Sequence, residues 1–309
     1  MKKILLFKFR FNRIKVFIIN NLINNSKIIF NIYSNYLSRK SLKKTYIQII
    51  NNNIPRENTL TAESLLKLIQ ESPKKKNICN ILCSGASILN TISRINSSEY
   101  VMGLNYSGLI YPKPDIHFLE HAHLKTEIDK LRTNLFVKSL NKLGENPLIW
   151  KNLSGGQVFY SIVKSHFYNN NNKFLLDYTL PSYNHKYKNI SQESLYKLFN
   201  SSYKFGIPQF ANSLISLIGI ASKIFKKINI YGCDMGGLRF YEDSNFICPE
   251  YLTNEDLQLL NENVNYDFSE GFKKFGKLND LRSINSLREL IPLAENYLLK
   301  KGVKLEIIS

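Results

Sequence analysis

Short apolar runs bounded by turn residues alternate along this chain with stretches of helical periodicity. Residues 78–83 form one such run, ending in Ser84-Gly85-Ala86-Ser87, the pattern of a buried strand turning into a helix. Residues 100–104, 116–119, 148–153, 174–180, 228–231 and 303–308 predict further strands. Helices are predicted among them. Thr61 caps one through residue 69, and residues 127–143 carry Ile128, Leu131, Leu135 and Leu143 on one face before Gly144. Ser191 is the expected cap of a helix running to 199. Residues 210–225 are apolar almost all round and predict a buried helix, and 281–300 predict a long amphipathic one. The four asparagines at 169–172 read as a loop. Such alternation predicts an α/β fold, a single Rossmann-like domain with a mostly parallel sheet.

Asn51-Asn52-Asn53-Ile54-Pro55 is a polar, proline-bearing break, which divides residues 1–56, an N-terminal arm, from a body at 57–309. Charge sharpens that division. The 309 residues hold 42 Lys and Arg against 24 Asp and Glu, a net +18. Twelve of the basic residues lie in 1–56, with no acid before Glu57, so 57–309 nets only +6. A uniformly basic nucleic-acid-binding body is disfavoured. Abundant Asn, Lys and Ile also look like the bias of an AT-rich genome, which raises basicity without a functional cause. Within the arm, cations interrupt every apolar stretch, which excludes a signal-peptide core and a membrane span. One or two basic amphipathic helices are expected instead, suited to an anionic membrane surface. Packing on the body or in a homo-oligomer is the other reading, and nucleic acid the least favoured. The four cysteines, Cys79, Cys83, Cys233 and Cys248, are too few and irregular for a disulfide framework, which fits a reducing cytoplasm. Cys79 and Cys83 have the spacing of half a zinc site, yet they sit in an apolar run where Cys acts as a small hydrophobe.

Parallel sheets bind ligands at the carboxyl ends of their strands. Ser84-Gly85-Ala86-Ser87 lies at such an end, where a helix N-terminus favours a phosphate; a tight Ser-capped turn has the same residues. The loop has neither the three spaced glycines of a dinucleotide site nor the Gly-Lys-Ser/Thr of a phosphate-binding loop. Asn105 follows the next strand, where a carboxamide reads a base or ribose or simply makes a turn. Asp234 follows residues 228–231 and binds a hydroxyl or caps a turn. His117, His121 and His123 flank Glu120 at the end of the third strand, a cluster suited to acid–base work or merely solvated.

Together, strand–Ser-Gly-Ala-Ser, strand–Leu-Asn, strand–Phe-Leu-Glu and the late Ile228-Asn229-Ile230-Tyr231-Gly232-Cys233-Asp234 resemble the bacterial lipooligosaccharide sialyltransferases. They are also similar to the related flagellin-modifying motility-associated factors. The resemblance covers roughly residues 77–125 and 206–245. It implies a GT-A-variant fold and transfer of a sialic-acid-like or Kdo-like 2-keto sugar acid from a CMP donor, without a metal or other cofactor. The acceptor would be a surface glycan or glycolipid, and the enzyme would sit in the cytoplasm against the inner membrane. Carried over, Ser84, Gly85, Ala86 and Ser87 would contact the cytidine monophosphate, with Asn105 near the donor. Asn212 and Ser213 match the small polar pair opening the late helix, and Asp234 matches the late strand's Asp. Glu120 replaces the family's second Asn, and Ala86 its loop proline. The family's C-terminal general-base His has no counterpart after His185, so His121 or His123 with Glu120 is the candidate base. Arg239 and Tyr241 would steady the departing phosphate, or belong to a surface hairpin. The competing classes are a non-catalytic nucleotide-binding protein and a nucleic-acid binder using the arm.

Overall fold

The computed structural model describes residues 21–23, 25–51, 53–111, 113–120, 147–151, 172–175, 177–180, 188–200, 207–209, 213–235, 238–250, 252–258 and 277–309. Ten strands are described: β1 (Thr59–Leu60), β2 (Lys75–Leu82), β3 (Glu99–Leu104), β4 (Ile116–Glu120), β5 (Leu148–Lys151), β6 (Asn172–Leu175), β7 (Asp177–Thr179), β8 (Ile207–Gln209), β9 (Lys227–Tyr231) and β10 (Lys304–Ile308). The helices among the described residues include α1 (Lys27–Asn51), α2 (Ala62–Glu71), α3 (Ile88–Thr91), α4 (Lys188–Asn200), α5 (Ser213–Ala221) and α6 (Lys277–Leu299).

Eight strands form one sheet in the order β1-β6-β5-β4-β3-β2-β9-β10, every pair parallel. The expected α/β architecture with a parallel, Rossmann-like sheet is therefore present. From β2 the chain steps outward through β3, β4, β5 and β6, then returns to the other side of β2 with β9 and β10. The reversal of strand order between β2 and β9 is where an open parallel sheet leaves a crevice.

Both faces of the central strands are covered, so these strands read as continuous apolar runs. Cys79 and Ile81 of β2, Met102 of β3, Phe118 of β4 and Ile230 of β9 point into one core. Leu65 and Ile69 of α2, apolar residues of α5 from Leu214 to Ala221, and Leu290, Ile291, Ala294 and Leu298 of α6 fill its other side. The alternate positions Leu82, Val101 and Tyr231 face a second cluster with Ile88, Leu109, Phe240 and Leu252. The period of two along a strand sorts these residues between faces.

Most predicted elements are found, with revised ends. Thr61 caps α2 in a reciprocal capping box with Ser64. Ser191 is not at the helix start: α4 begins three residues earlier, at Lys188, and Ser191 lies inside it. The single strand expected at 174–180 is two, β6 in the main sheet and β7 paired with β8 in a small parallel sheet. The helix after Ser87 is one turn, α3, followed by a 3-10 turn over Ile92–Arg94. The expected helix at 127–143 lies outside the described residues. From the arm, α1 is a long helix, with Phe30, Ser34, Thr45 and Ile49 buried.

Candidate functional site at the carboxyl ends of β2 and β9

Leu82 of β2 pairs in register with Tyr231 of β9, so the segments that follow both strands emerge side by side at the crevice. Ser84–Ser87 leaves β2, and Gly232-Cys233-Asp234 leaves β9. Gly232 has a φ of +66°, a left-handed turn that glycine adopts without strain. Its carbonyl accepts a hydrogen bond from the Gly85 amide at 2.8 Å, after the Tyr231 carbonyl has accepted one from Cys83 at 2.9 Å. A third segment closes the group: the Ala86 amide donates to the Leu238 carbonyl at 2.9 Å, and the Phe240 amide to the Ser84 carbonyl at 3.0 Å.

Asp234 ties the crests together with its side chain. Its carboxylate accepts from the Ser87 amide at 2.9 Å, and the Ser87 hydroxyl donates to its other oxygen. Such charge-assisted bonds are roughly twice as strong as neutral ones. The tie explains why residue 85 must be glycine. A Cβ there would lie 2.5 Å from Asp234 Oδ2 and 2.7 Å from the Gly232 carbonyl oxygen. Arg239 Nη1 donates to Ser84 Oγ at 2.5 Å, while the Arg239 amide donates to Glu242 Oε2 at 2.5 Å. Arg239 itself is exposed.

This geometry changes what the loop does. The amides of Gly85, Ala86 and Ser87 all have acceptors within the protein, and a carboxylate occupies the place where a phosphate would meet the Ser87 amide. Among the residues expected to contact a ligand, Ser87 bonds to Asp234 and Ser84 to Arg239. Beside these bonded groups, Arg239 is exposed and Asn105, after β3, is half-buried. At the start of α5 the Ser213 hydroxyl is buried and has no hydrogen-bond partner among the described residues. Since α5 leads by a short connection into β9, its N-terminus lies toward the carboxyl ends of the strands, where its dipole favours an anion.

Tyr241 is not on a surface hairpin. It sits in a 3-10 turn over Phe240–Glu242, buried, its ring edge-on to Phe240 at 5.2 Å and to Tyr106 at 5.6 Å. Its packing supports the Arg239 segment from below.

One crest further along, Asn105 has a φ of +50° and opens a 3-10 turn over Asn105–Leu109. Two bonds fix this turn: the Leu104 amide donates to Ser107 Oγ at 2.9 Å, and His117 Nε2 lies 2.8 Å from the Asn105 carbonyl, to which it donates. His117 is fully buried against Gly103, and its Nδ1 has no partner among the described residues. Burial lowers its pKa to about 4, the bond to the Asn105 carbonyl opposing the shift. A neutral imidazole with its Nε2 proton already placed is a structural group. Glu120 ends β4, paired in register with Lys151. His121, His123 and Asn212 lie outside the described residues.

Burial likewise raises the pKa of Cys83 well above its usual value and that of Cys233 to about 11, so both remain thiols at neutral pH. Cys79 is buried in β2, as its apolar surroundings predicted. Among the described residues, no group of three or more His, Cys, Asp or Glu is placed to hold a metal ion.

No protein-family model and no curated protein matches this chain. Sequence reasoning missed two features of the site: the Ser87–Asp234 tie, which joins residues 147 positions apart, and the His117–Asn105 lock. The positive φ of Asn105 had a local signal, since Asn tolerates the left-handed region. The tie had none.

Proposed function

We propose that the protein is a CMP-sugar-dependent glycosyltransferase of the sialyltransferase-like kind. It would move a sialic-acid-like or Kdo-like 2-keto sugar acid to a bacterial surface glycan or glycolipid. The observation that supports this most is where the resembling motifs meet. Ser84–Ser87, Asp234 and Arg239 come from distant parts of the chain and converge at the reversal of strand order, where open parallel sheets take nucleotides.

In this reading, Arg239 faces the phosphate of the donor and stabilises the charge that develops as CMP departs. The buried Ser213 hydroxyl and the N-terminus of α5 offer donors to the same phosphate or to the ribose. The Asp234–Ser87 tie holds the crevice walls at fixed spacing, a positioning role. The acceptor hydroxyl loses a proton as it attacks the anomeric carbon, so a base must stand beside it. His117 is unsuited, being buried with its Nε2 occupied. Glu120, with His121 or His123, is the proposed source, and no metal is required.

A second reading, a non-catalytic nucleotide-binding protein, draws on the loop amides already engaged within the protein and on the burial of Tyr241. Two measurements separate the readings. Calorimetry with CMP tests the crevice, and release of CMP from CMP-sialic acid or CMP-Kdo tests the chemistry. Binding with release supports transfer, and binding without release of CMP from either donor supports the second reading. Failure to bind CMP at millimolar concentration overturns the transfer reading.

A further inference from the structure

We propose that the outward face of α1 is a docking surface for an anionic lipid bilayer. The helix has two distinct sides at roughly 100° per residue. Phe30, Ser34, Thr45 and Ile49 share one side, and all four are buried. The helix rests on β7 and α4. Lys27 Nζ lies 3.2 Å from Glu193 Oε1, and Lys197 Nζ sits 5.2 Å from the centre of the Phe30 ring. The arm is thus held to the body by its inner side.

The opposite side is turned to water. Ile28, Ile32, Tyr36, Tyr46, Ile47 and Ile50 fall within an arc of roughly 100° and are between 44% and 73% exposed. Arg39, Lys40 and Lys43 lie on or beside the same arc and are exposed too. Large apolar side chains gathered on one exposed stripe mark a surface that meets something apolar. The interleaved cations state its charge, because residues 1–56 contain no acid at all.

That combination selects the occupant. A second copy of α1 would bring the same cations against these, with no acid to offset them. A nucleic acid would satisfy Arg39, Lys40 and Lys43 but leave four isoleucines facing a sugar-phosphate surface. An anionic bilayer answers both sets: isoleucine and tyrosine side chains enter the boundary of the acyl region while the cations meet headgroup phosphates. No helix among the described residues is long and apolar enough to cross a membrane, so the proposed mode is one of lying on the surface.

Flotation of the full chain with vesicles tests this, and needs no nucleotide, so its failure is separate from failure of the sugar-transfer reading. On vesicles of equal parts phosphatidylglycerol and phosphatidylcholine, the protein is expected to float, and on pure phosphatidylcholine to stay behind. The pair Ile32→Glu with Ile47→Glu should reduce the floating fraction roughly tenfold. Lys40→Glu with Lys43→Glu should do the same, while Lys300→Glu, an exposed lysine elsewhere, leaves it unchanged. These side chains point to water, so each variant should keep the wild-type melting curve. The proposal is overturned if the wild type ignores the anionic vesicles, or if all variants float alike. It is overturned equally if sedimentation equilibrium shows a dimer that the isoleucine pair dissolves.

Discussion

Two neighbouring crests at the carboxyl end of the sheet both carry polar side chains, and they differ in what those groups face. At β2 and β9 a half-buried carboxylate joins two loops, and an exposed cation, Arg239, bonds to Ser84. At β3 and β4 a neutral imidazole is sealed against a glycine and commits its proton to a backbone carbonyl. Both place a polar residue where a parallel sheet is expected to bind ligands. The first leaves the Arg239 cation exposed, whereas the imidazole of the second is buried. Position at a strand end is therefore insufficient to name a site; exposure of the polar group decides.

The sharpest way to break the first crest is Gly85→Ala. The new methyl meets the Gly232 carbonyl, which is backbone and cannot swing aside, so the variant should be destabilised by about 3 kcal/mol in urea unfolding. Asp234→Asn keeps the shape and removes the charge from the Ser87 bonds, for an expected destabilisation of about 2 kcal/mol by the same measurement. At the second crest, Gly103→Ala would drive a Cβ against Nδ1 of the His117 ring. Only a ring has to move there, so a destabilisation of about 1–2 kcal/mol is expected.

Acid should separate the crests further. His117 has a folded pKa of about 4, below its unfolded value near 6.5, so the unfolded chain binds more protons between those limits. Its contribution is complete above pH 6.5 and declines as pH falls toward 4. A His117→Asn variant should therefore show a shallower decline of stability across that window than the wild type, read from urea midpoints. An equal slope in both proteins would mean that the imidazole is not buried neutral.

How much of this was legible beforehand follows from range. The central strands and α5 announce themselves because burial on both faces leaves continuous apolar runs, and Thr61 is visible as a cap from its own neighbours. The split of the run at 174–180 was hidden, since β7 is a strand only by virtue of β8, which lies far along the chain. The start of α4 was misplaced because a serine that could cap sits one turn inside a helix packed by tertiary interactions. For the site, the residues were legible and their relations were not. Ser84, Gly85, Ser87 and Asp234 stood out individually as strand-end groups, but nothing local tells Ser87 that its partner is Asp234. The arm's basicity was plain in composition, whereas its division into a buried and an exposed side required the body against which it packs.

Arg239→Ala should have the smallest effect on stability, within about 0.5 kcal/mol, because the side chain is exposed. For that reason it gives the most direct test of the crevice. Calorimetric titration of CMP into the wild type should show binding. Titration into Arg239→Ala should show binding at least roughly tenfold weaker, since the variant stays folded but offers the phosphate no guanidinium. Equal affinity in the two proteins, or no heat from either at millimolar CMP, would contradict the placement of a cytidine nucleotide between β2 and β9.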